Sequence, residues 1–338
     1  METKPPLPEF PPHPEGLLPY AELHAHLGAS VPTSALWSLA HEQGFRLPTK
    51  NYWEFERIIT THQTVRDVDH LTEQMYNTTH LIQSSPEALP TLMQHAVSGA
   101  YRHNNIVWQE WRLSPMRRNR GGERDLDHII LATLYGMDRA RIEFPWLRIG
   151  VIFELYRGFT AAQNRIILEK AKRYQDRGVI GIDISGPQIA EFDLAAHIPL
   201  FQEAKEAGFG ITFHTGEEGD ITEMETIVRE IKPHRIGHGI RSYKHPSLMK
   251  FLVENGIYLE LCPTSNLNCR VMADIAELKT AIRTLVDNGV KITINTDGPE
   301  MHRTSLRNEF QLLKDNGILT DAELETARAN AFEASFLK

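Results

Sequence analysis

Short apolar runs alternate with helix-like segments along most of this chain. The runs are continuously apolar, which is typical of parallel strands that helices cover on both faces. We predict eight strands, near residues 20–24, 106–112, 147–154, 179–184, 210–214, 235–238, 257–261 and 291–295. Eight such strands with intervening helices predict an α/β protein with the (β/α)8 TIM-barrel fold.

Glycines mark four of the switches from helix to strand. These glycines are Gly178, Gly208, Gly256 and Gly289. A glycine just past a helix end takes up the left-handed conformation that stops the helix. An open, doubly wound sheet is the alternative fold, but no G-x-G-x-x-G motif follows the first strand.

The stretch between the first two predicted strands is long and mostly helical. We expect a helical insertion here, over the barrel mouth, with residues 51–76 as a candidate substrate lid. Ordinary helix packing is the alternative for that segment. Residues 16–338 are predicted to form one barrel domain. Residues 1–15 hold six prolines and no apolar signal core, which predicts an extended leader.

The composition is typical of a soluble globular protein and argues against several other classes. The chain has 338 residues, of which 41% are hydrophobic and 24% charged, as in an ordinary soluble globular protein. A net charge of −8 argues against nucleic acid as a partner, and no run approaches the roughly 20 apolar residues of a membrane span. Two cysteines, Cys262 and Cys269, are too few for a disulfide framework, so we expect a reducing, cytoplasmic location.

Polar side chains follow several predicted strands at their carboxyl ends, where barrels of this type place their active sites. His24 and His26 are two residues apart, so they point to the same face of the first strand. With His214 at the end of strand five and Asp297 after strand eight, they offer three imidazoles and one carboxylate. This set suits zinc with one water molecule. Unrelated polar residues at the starts of loops are the alternative.

Two more ionisable residues are expected beside these ligands. Glu217 lies three residues past His214, and His238 ends the sixth strand. A carboxyl group that burial keeps protonated can donate a proton, and a histidine beside a metal can accept one from water. Because zinc lowers the pKa of bound water to roughly 7, the set predicts hydrolytic chemistry. The alternative is that both residues only support the ligands.

Five motifs in this order resemble those of the adenosine deaminase family, in the amidohydrolase superfamily. Each motif is weak alone, but five in register on successive strands are specific. The resemblance runs from about residue 18 to residue 336. The motifs are His24-Ala25-His26, His214-Thr215-Gly216-Glu217, Arg235-Ile236-Gly237-His238-Gly239, Cys262-Pro263-Thr264-Ser265-Asn266 and Asn295-Thr296-Asp297.

The resemblance implies a zinc-dependent deaminase of purine metabolism. It implies that Glu217 protonates the purine ring at N1, while His238 orients and deprotonates the water that attacks C6. Asp297 would share in catalysis, and ammonia would leave. The residues that it assigns to one zinc ion are His24, His26, His214 and Asp297. The residues expected to border the substrate are His26, Glu217, Gly298 and Gly186, whose backbone N–H would meet purine N3.

Two positions depart from the family pattern. Gly28 and Gly298 stand where the family usually has aspartates that contact the ribose 5′-hydroxyl and purine N7. Neither departure removes a metal ligand or the proton donor, so we expect deamination of adenosine or a closely related 6-aminopurine nucleoside. The alternatives are free adenine, a 5′-modified adenine nucleoside, another amino-heterocycle, or a catalytically inactive member that binds nucleosides.

A run of arginines follows the second predicted strand on the mouth side of the barrel. Acidic residues are interleaved with it, so a solvated loop is the usual interpretation. A sharper alternative is that Arg117 or Arg118 pairs with a carboxylate or phosphate on an extended substrate. The arginines of the run are Arg112, Arg117, Arg118 and Arg120.

Overall fold

The strands of the protein are parallel and lie in chain order. The computed structural model describes residues 10–61, 75–120 and 125–337. One sheet runs from β1 to β5 and a second from β6 to β9. The strands are β1 (Tyr20–His26), β2 (Ile106–Leu113), β3 (Arg148–Tyr156), β4 (Val179–Ser185), β5 (Gly210–Ile211), β6 (His214–Thr215), β7 (Arg235–His238), β8 (Tyr258–Leu261) and β9 (Ile292–Ile294).

The first seam between the two sheets lies within one continuous stretch, predicted as a single strand at 210–214. The Thr212 N–H donates to the carbonyl of Ile182 in β4 at 3.1 Å, and the Phe213 carbonyl accepts from the Gly237 N–H in β7 at 2.9 Å. Successive residues therefore bond to two different neighbouring strands. This change of partner divides the stretch into β5 and β6.

The second seam joins the last strand to the first. Ala25 and Asp297 form a parallel bridge. The His26 N–H donates to the Asp297 carbonyl at 2.7 Å, and the Asp297 N–H donates to the His24 carbonyl at 2.8 Å. With both seams bonded, the sheets close into one barrel with eight strand positions. The predicted fold class is confirmed.

Helices surround the barrel. α4 packs on β2 and α5, and α14 packs on β9 and β1. None of the described helices is both long enough and apolar enough to cross a membrane. The helices are α1 (Thr33–Glu42), α2 (Tyr52–Ile59), α3 (Asn77–Ile82), α4 (Ala88–Asn104), α5 (Leu126–Glu143), α6 (Ala161–Arg173), α7 (Leu194–Glu206), α8 (Ile221–Glu230), α9 (Pro246–Glu254), α10 (Pro263–Asn268), α11 (Ile275–Asp287), α12 (Pro299–His302), α13 (Leu306–Asp315) and α14 (Asp321–Ala334).

The sequence fixes many helix ends through local hydrogen bonds and backbone conformation. Asp125, Asp193 and Asp274 each accept backbone N–H bonds at the start of a helix, which satisfies donors that the first turn leaves unpaired. At the helix-to-strand switches, the four predicted glycines all have positive φ, between 64° and 108°. These are the left-handed positions that the sequence pattern indicates.

The connection from β1 to β2 carries the predicted helical insertion. It includes α1, α2 and α3 before α4 reaches the barrel wall. Of the candidate lid at 51–76, residues 62–74 lie outside the described part of the chain. In α2, Phe55 and Ile59 are buried and Trp53 is exposed, which is the pattern of ordinary helix packing.

Charged side chains fill the lower barrel interior. Arg235 lies 2.5 Å from Glu110 and 2.5 Å from Glu260. Arg112 in turn lies 2.5 Å from Glu260 and 2.6 Å from Asp183. All five residues are fully buried, so each charge depends on its neighbours for compensation. We call Glu110, Arg235, Glu260, Arg112 and Asp183 the charge ladder.

One aromatic ring closes the bottom of the ladder. The Arg235 guanidinium lies 3.5 Å from the centre of the Phe336 ring. A Cβ added to Gly210 would lie 2.2 Å from the same ring. Glycine is therefore required at Gly210 for this ring to reach the barrel axis.

Replacing Arg235 is predicted to destabilise the whole fold. Arg235→Ala leaves Glu110 and Glu260 buried without their shared partner, and breaking a buried ion pair in this way costs about 3–5 kcal/mol. The free energy of unfolding from denaturant titration measures the loss. Arg102→Ala is the control, because Arg102 pairs with Glu143 on the surface and such pairs contribute about 0–1 kcal/mol. Equal losses in the two variants would contradict the ladder's structural role.

Candidate active site

The structure brings the four predicted metal ligands together at the carboxyl end of the barrel. The Nε2 atoms of His26 and His214 lie 3.2 Å apart. Asp297 Oδ1 lies 3.2 Å from His26 Nε2 and 3.9 Å from His24 Nε2. Ligand atoms of the three histidines all lie within 4.8 Å of one another. We call His24, His26, His214 and Asp297 the ligand cluster.

A buried carboxylate contacts the other ring nitrogen, Nδ1, of each histidine. Such a contact fixes the orientation of the ring and leaves Nε2 to face a metal. The charge ladder supplies two of the three carboxylates. The pairs are His24 with Glu260 at 2.8 Å, His26 with Glu154 at 3.0 Å and His214 with Asp183 at 2.9 Å.

Sequence analysis missed these three carboxylates. Each of Glu154, Asp183 and Glu260 is an acidic residue within a strand that is otherwise almost entirely apolar. A buried carboxylate needs a compensating partner. An acidic residue in an otherwise apolar strand therefore indicates a buried partner, but it does not identify which histidine each carboxylate contacts.

Electrostatics differ among the three imidazoles. Burial alone would lower the pKa of His26, but Glu154 and Asp297 outweigh it and raise that pKa to about 10. His26 in turn overcomes burial at Glu154 and lowers the pKa of that carboxyl to about 2. Burial, reinforced by the Arg112 charge, holds the pKa of His24 well below its usual value. His24 is therefore neutral, while His26 carries a proton that a metal must displace.

The ligand cluster fits a zinc ion by its chemistry. His24 Nε2 is fully buried and has no hydrogen-bond partner within the described residues. Leaving such a nitrogen unpaired is costly, and a metal would satisfy it. Three imidazole nitrogens and one carboxylate oxygen are a ligand set that zinc accepts.

Glu217 and His238 lie beside each other at the same site. Glu217 Oε2 is 3.5 Å from His238 Nε2. Burial, with the charges of Asp297 and Glu218, raises the pKa of Glu217 well above its usual value. Burial lowers the pKa of His238 to about 3 despite the opposing charge of Asp297. Near neutral pH the pair is thus a protonated carboxyl group and a neutral imidazole.

Two of these residues hold left-handed backbone conformations. His238 has φ 62° and Asp297 has φ 63°, which costs about 1–2 kcal/mol for a residue with a Cβ. Both lie at the end of a strand, where the chain turns out of the barrel. Strain of this kind is typical of functional sites.

Polar residues of α10, the helix that follows β8, contact both groups. The Ser265 hydroxyl donates to Asp297 Oδ2 at 2.6 Å. The Asn266 amide lies 3.2 Å from His238 Nδ1. Cys262 and Cys269 are both buried free thiols. His302, which sequence analysis did not single out, also approaches Asp297, at 3.6 Å.

A cavity of about 830 Å³, including the part open to solvent, lies over these groups. Gly186 is at its edge with φ 98°, and a Cβ there would lie 2.4 Å from the Tyr156 ring. Only glycine fits this position. The predicted site residues that line the cavity are His26, Gly186, His214, Glu217, His238 and Asp297.

The two departures from the family pattern have different surroundings. A Cβ on Gly298 would lie 2.6 Å from the Ala29 Cβ, and Gly298 is not among the described residues that line the cavity. A Cβ on Gly28 would instead lie 2.9 Å from Arg118 Nη2. Gly28 therefore faces a cation, whereas Gly298 packs on the loop after β1.

The arginine run is not simply a solvated loop. Arg112 is fully buried within the barrel, in the charge ladder, and Arg118 is only 1% exposed. The Arg117 guanidinium lies 4.3 Å from the centre of the Tyr156 ring. Only Arg120 of the run is exposed. The solvated-loop interpretation is wrong for Arg112 and Arg118, because charged positions in a sequence do not reveal which ones face the barrel interior.

Comparisons of sequence and of structure relate this chain to known deaminases. A model of the family described as adenosine deaminase matches residues 19–338. An adenosine deaminase of Vibrio vulnificus is 26% identical over 306 residues, 90% of each chain. The structure of an adenine deaminase from Arthrobacter aurescens has a TM-score of 0.84 at 20% identity, covering 95% of this chain and 94% of that one. An N6-mAMP deaminase from arabidopsis has a TM-score of 0.81 at 25% identity, with the same coverage.

Metal affinity is predicted to rise with pH. His26 must lose its proton to bind a metal, and its pKa without metal is about 10. Affinity for zinc should therefore increase, by up to about tenfold per pH unit, from neutrality until the pH approaches that pKa. Competition with a chelating dye measures it.

The matched variant is Glu154→Gln, which removes the carboxylate that raises the pKa of His26. Its affinity should depend less steeply on pH. The same slope in both proteins would contradict the assigned cause, and a flat slope in the native protein would contradict a protonated His26. Glu191→Gln is the control, because Glu191 is exposed.

Proposed function

Because the chain belongs to the adenosine deaminase family, we propose that it hydrolyses the exocyclic C6 amino group of adenosine or a closely related 6-aminopurine nucleoside and releases ammonia. The proposal goes beyond membership of a family of hydrolytic deaminases in two respects, the substrate and the zinc ion. The observation that carries it is the position of the protonated Glu217 carboxyl group beside neutral His238, next to the ligand cluster, on one cavity.

The metal requirement follows from the ligand cluster. His24, His26, His214 and Asp297 would hold one zinc ion. When bound, zinc supplies a Lewis acid that lowers the pKa of a water molecule toward neutrality. The neighbouring carboxylates keep the three histidine rings aimed at one point, so the protein does not have to reorganise when the metal binds.

Glu217 is proposed as the general acid. Its raised pKa keeps the carboxyl proton at neutral pH, so it can donate that proton to N1 of a purine in the cavity. Protonation at N1 makes C6 more electrophilic. General acid–base groups typically contribute about 10²–10⁴-fold to a rate.

His238 is proposed to orient the attacking water and accept its proton. The imidazole is neutral because burial lowers its pKa to about 3, so Nε2 is a free acceptor in the tautomer that carries the ring proton on Nδ1. Turning the Asn266 amide so that its Oδ1, which has no partner among the described residues, accepts from that N–H selects this tautomer. Asn266 holds the far side of the ring through Nδ1. This contact leaves Nε2 toward Glu217 and the cavity.

Purine recognition is proposed at the other side of the cavity. Gly186 lies at the cavity edge, where its lack of a Cβ lets the Tyr156 ring pack against it. Its N–H would donate to purine N3. The family membership and the similarity to an N6-mAMP deaminase of the same fold support an adenine-type ring. Water displaces an amine from C6 in each case, ammonia from adenosine and methylamine from an N6-methylated adenine.

A substrate panel tests this proposal. Purified protein with its metal content measured is given adenosine, 2′-deoxyadenosine, adenine and a 5′-substituted adenosine, while ultraviolet absorbance and ammonia release are followed. We expect bound zinc and deamination of at least one nucleoside. Release of ammonia from adenine alone would overturn the nucleoside assignment. No bound metal, no rescue by zinc and no ammonia would instead favour an inactive binding protein.

Removing the carboxyl proton donor is predicted to slow turnover strongly while the metal stays bound. Glu217→Gln keeps the shape of the side chain but cannot transfer a proton, so kcat should fall by about 10²–10⁴-fold. Zinc content should stay at the native level, because Glu217 is not in the ligand cluster. Glu230→Gln, an exposed change on α8, should leave both unchanged. A native kcat in Glu217→Gln would contradict the assignment.

A further inference from the structure

One end of the cavity is basic and is not used by the deamination chemistry. Arg117, Arg118 and His80 line it, together with Ser114 and Tyr76. Resting on the deaminase function proposed above, we propose that this end, which we call the basic end, binds the 5′-phosphate of an adenine mononucleotide. The preferred substrate would then be a 6-aminopurine nucleotide rather than the free nucleoside.

Among the described residues, the hydrogen bonds of Arg118 are with neutral groups. Its Nε donates to Gln83 Oε1 at 3.1 Å and its Nη1 donates to the Ser114 carbonyl at 3.2 Å. Gln83 is itself fixed by donating to the Gly28 carbonyl at 3.0 Å. Among the described residues, no carboxylate lies within 4 Å of the guanidinium. A buried cation without a counter-ion is costly, and an anionic ligand would compensate it.

Two buried polar atoms at the basic end have no hydrogen-bond partner within the described part of the chain. His80 is 4% exposed and Ser114 is 2% exposed. Neither His80 Nδ1 nor the Ser114 hydroxyl has a hydrogen-bond partner within the described residues. An imidazole N–H and a hydroxyl both donate to phosphate oxygens, and phosphate has enough acceptors for these groups and a guanidinium.

Gly28 keeps this cation available. A Cβ there would lie 2.9 Å from Arg118 Nη2 and 3.2 Å from His80 Nε2. An aspartate at this position would place its carboxylate against Arg118 and neutralise it within the protein. With glycine, Arg118 and His80 pack against this position, and the charge of Arg118 is left to a ligand.

The basic end is close enough to the ligand cluster for one ligand to reach both. The Tyr76 ring lies between them, with its centre 6.1 Å from that of His26 and 5.3 Å from that of His80. A purine beside Glu217 would therefore extend its ribose along Tyr76 toward Arg118. This arrangement explains why the phosphate, rather than a second small molecule, belongs at the basic end.

Binding of the reaction products tests the site without requiring turnover. The dissociation constants of inosine and inosine 5′-monophosphate are measured by calorimetry on the zinc-loaded protein. We expect the nucleotide to bind at least about tenfold more tightly, which is 1.4 kcal/mol. The ratio should fall to within about twofold in Arg118→Gln, and Arg117→Ala should also lower it. Arg102→Ala, which removes an exposed charge elsewhere, should retain the native ratio.

The reverse change tests the role of Gly28. Gly28→Asp should remove the preference for the nucleotide while inosine still binds. Equal affinities in the native protein, or a ratio that no variant changes, would overturn the phosphate site. Tighter binding of inosine 5′-carboxylate than of the phosphate would overturn the assignment to phosphate.

Turnover assays distinguish a failure of this inference from a failure of the proposed function. Deamination of adenosine with no gain from a 5′-phosphate would refute the nucleotide inference and leave the deaminase standing. Strong preference for the inosine nucleotide without deamination of any adenine compound would refute the deaminase function instead, and would leave the phosphate site. Failure of both products to bind, together with no ammonia release from any adenine compound, would overturn both proposals.

Discussion

The charge ladder is the interaction on which the rest of the structure depends. Five fully buried charged groups alternate in sign up the barrel axis, and the top two carboxylates, Glu260 and Asp183, contact His24 and His214. The aim of these rings is therefore set by contacts that begin at the opposite end of the barrel. Positions of the ligands are as rigid as the core, because any movement would separate buried charges.

Above the ladder, the two sides of the cavity differ in charge. The ligand cluster and its carboxylates concentrate negative charge at one side, and that charge helps to keep the proton on Glu217. Arg118 and Arg117 make the other side basic. A molecule with an electron-poor ring at one end and an anion at the other complements both sides.

Most of the architecture follows from the sequence, because the dominant signals are local. Continuous apolar runs locate the strands, and a glycine such as Gly178 needs only its own helix to determine a left-handed turn. Long-range placement is different. Arg112 belongs to a basic run in the sequence, yet its neighbours in space come from other strands. Likewise, the contact of Glu154 with His26, and that of Gly298 with Ala29, depend on how the barrel closes.

The Phe336 ring has a consequence for the order of synthesis. It covers the lower end of the ladder and comes after all eight strand positions in the chain. A ribosome therefore completes every charged member of the ladder before the ring that shields Arg235 exists. Until then water reaches those charges from below, where hydration competes with their pairing. The barrel is therefore sealed only after its last strand has been made, and the nascent protein passes through a stage in which the ladder is open to water from below.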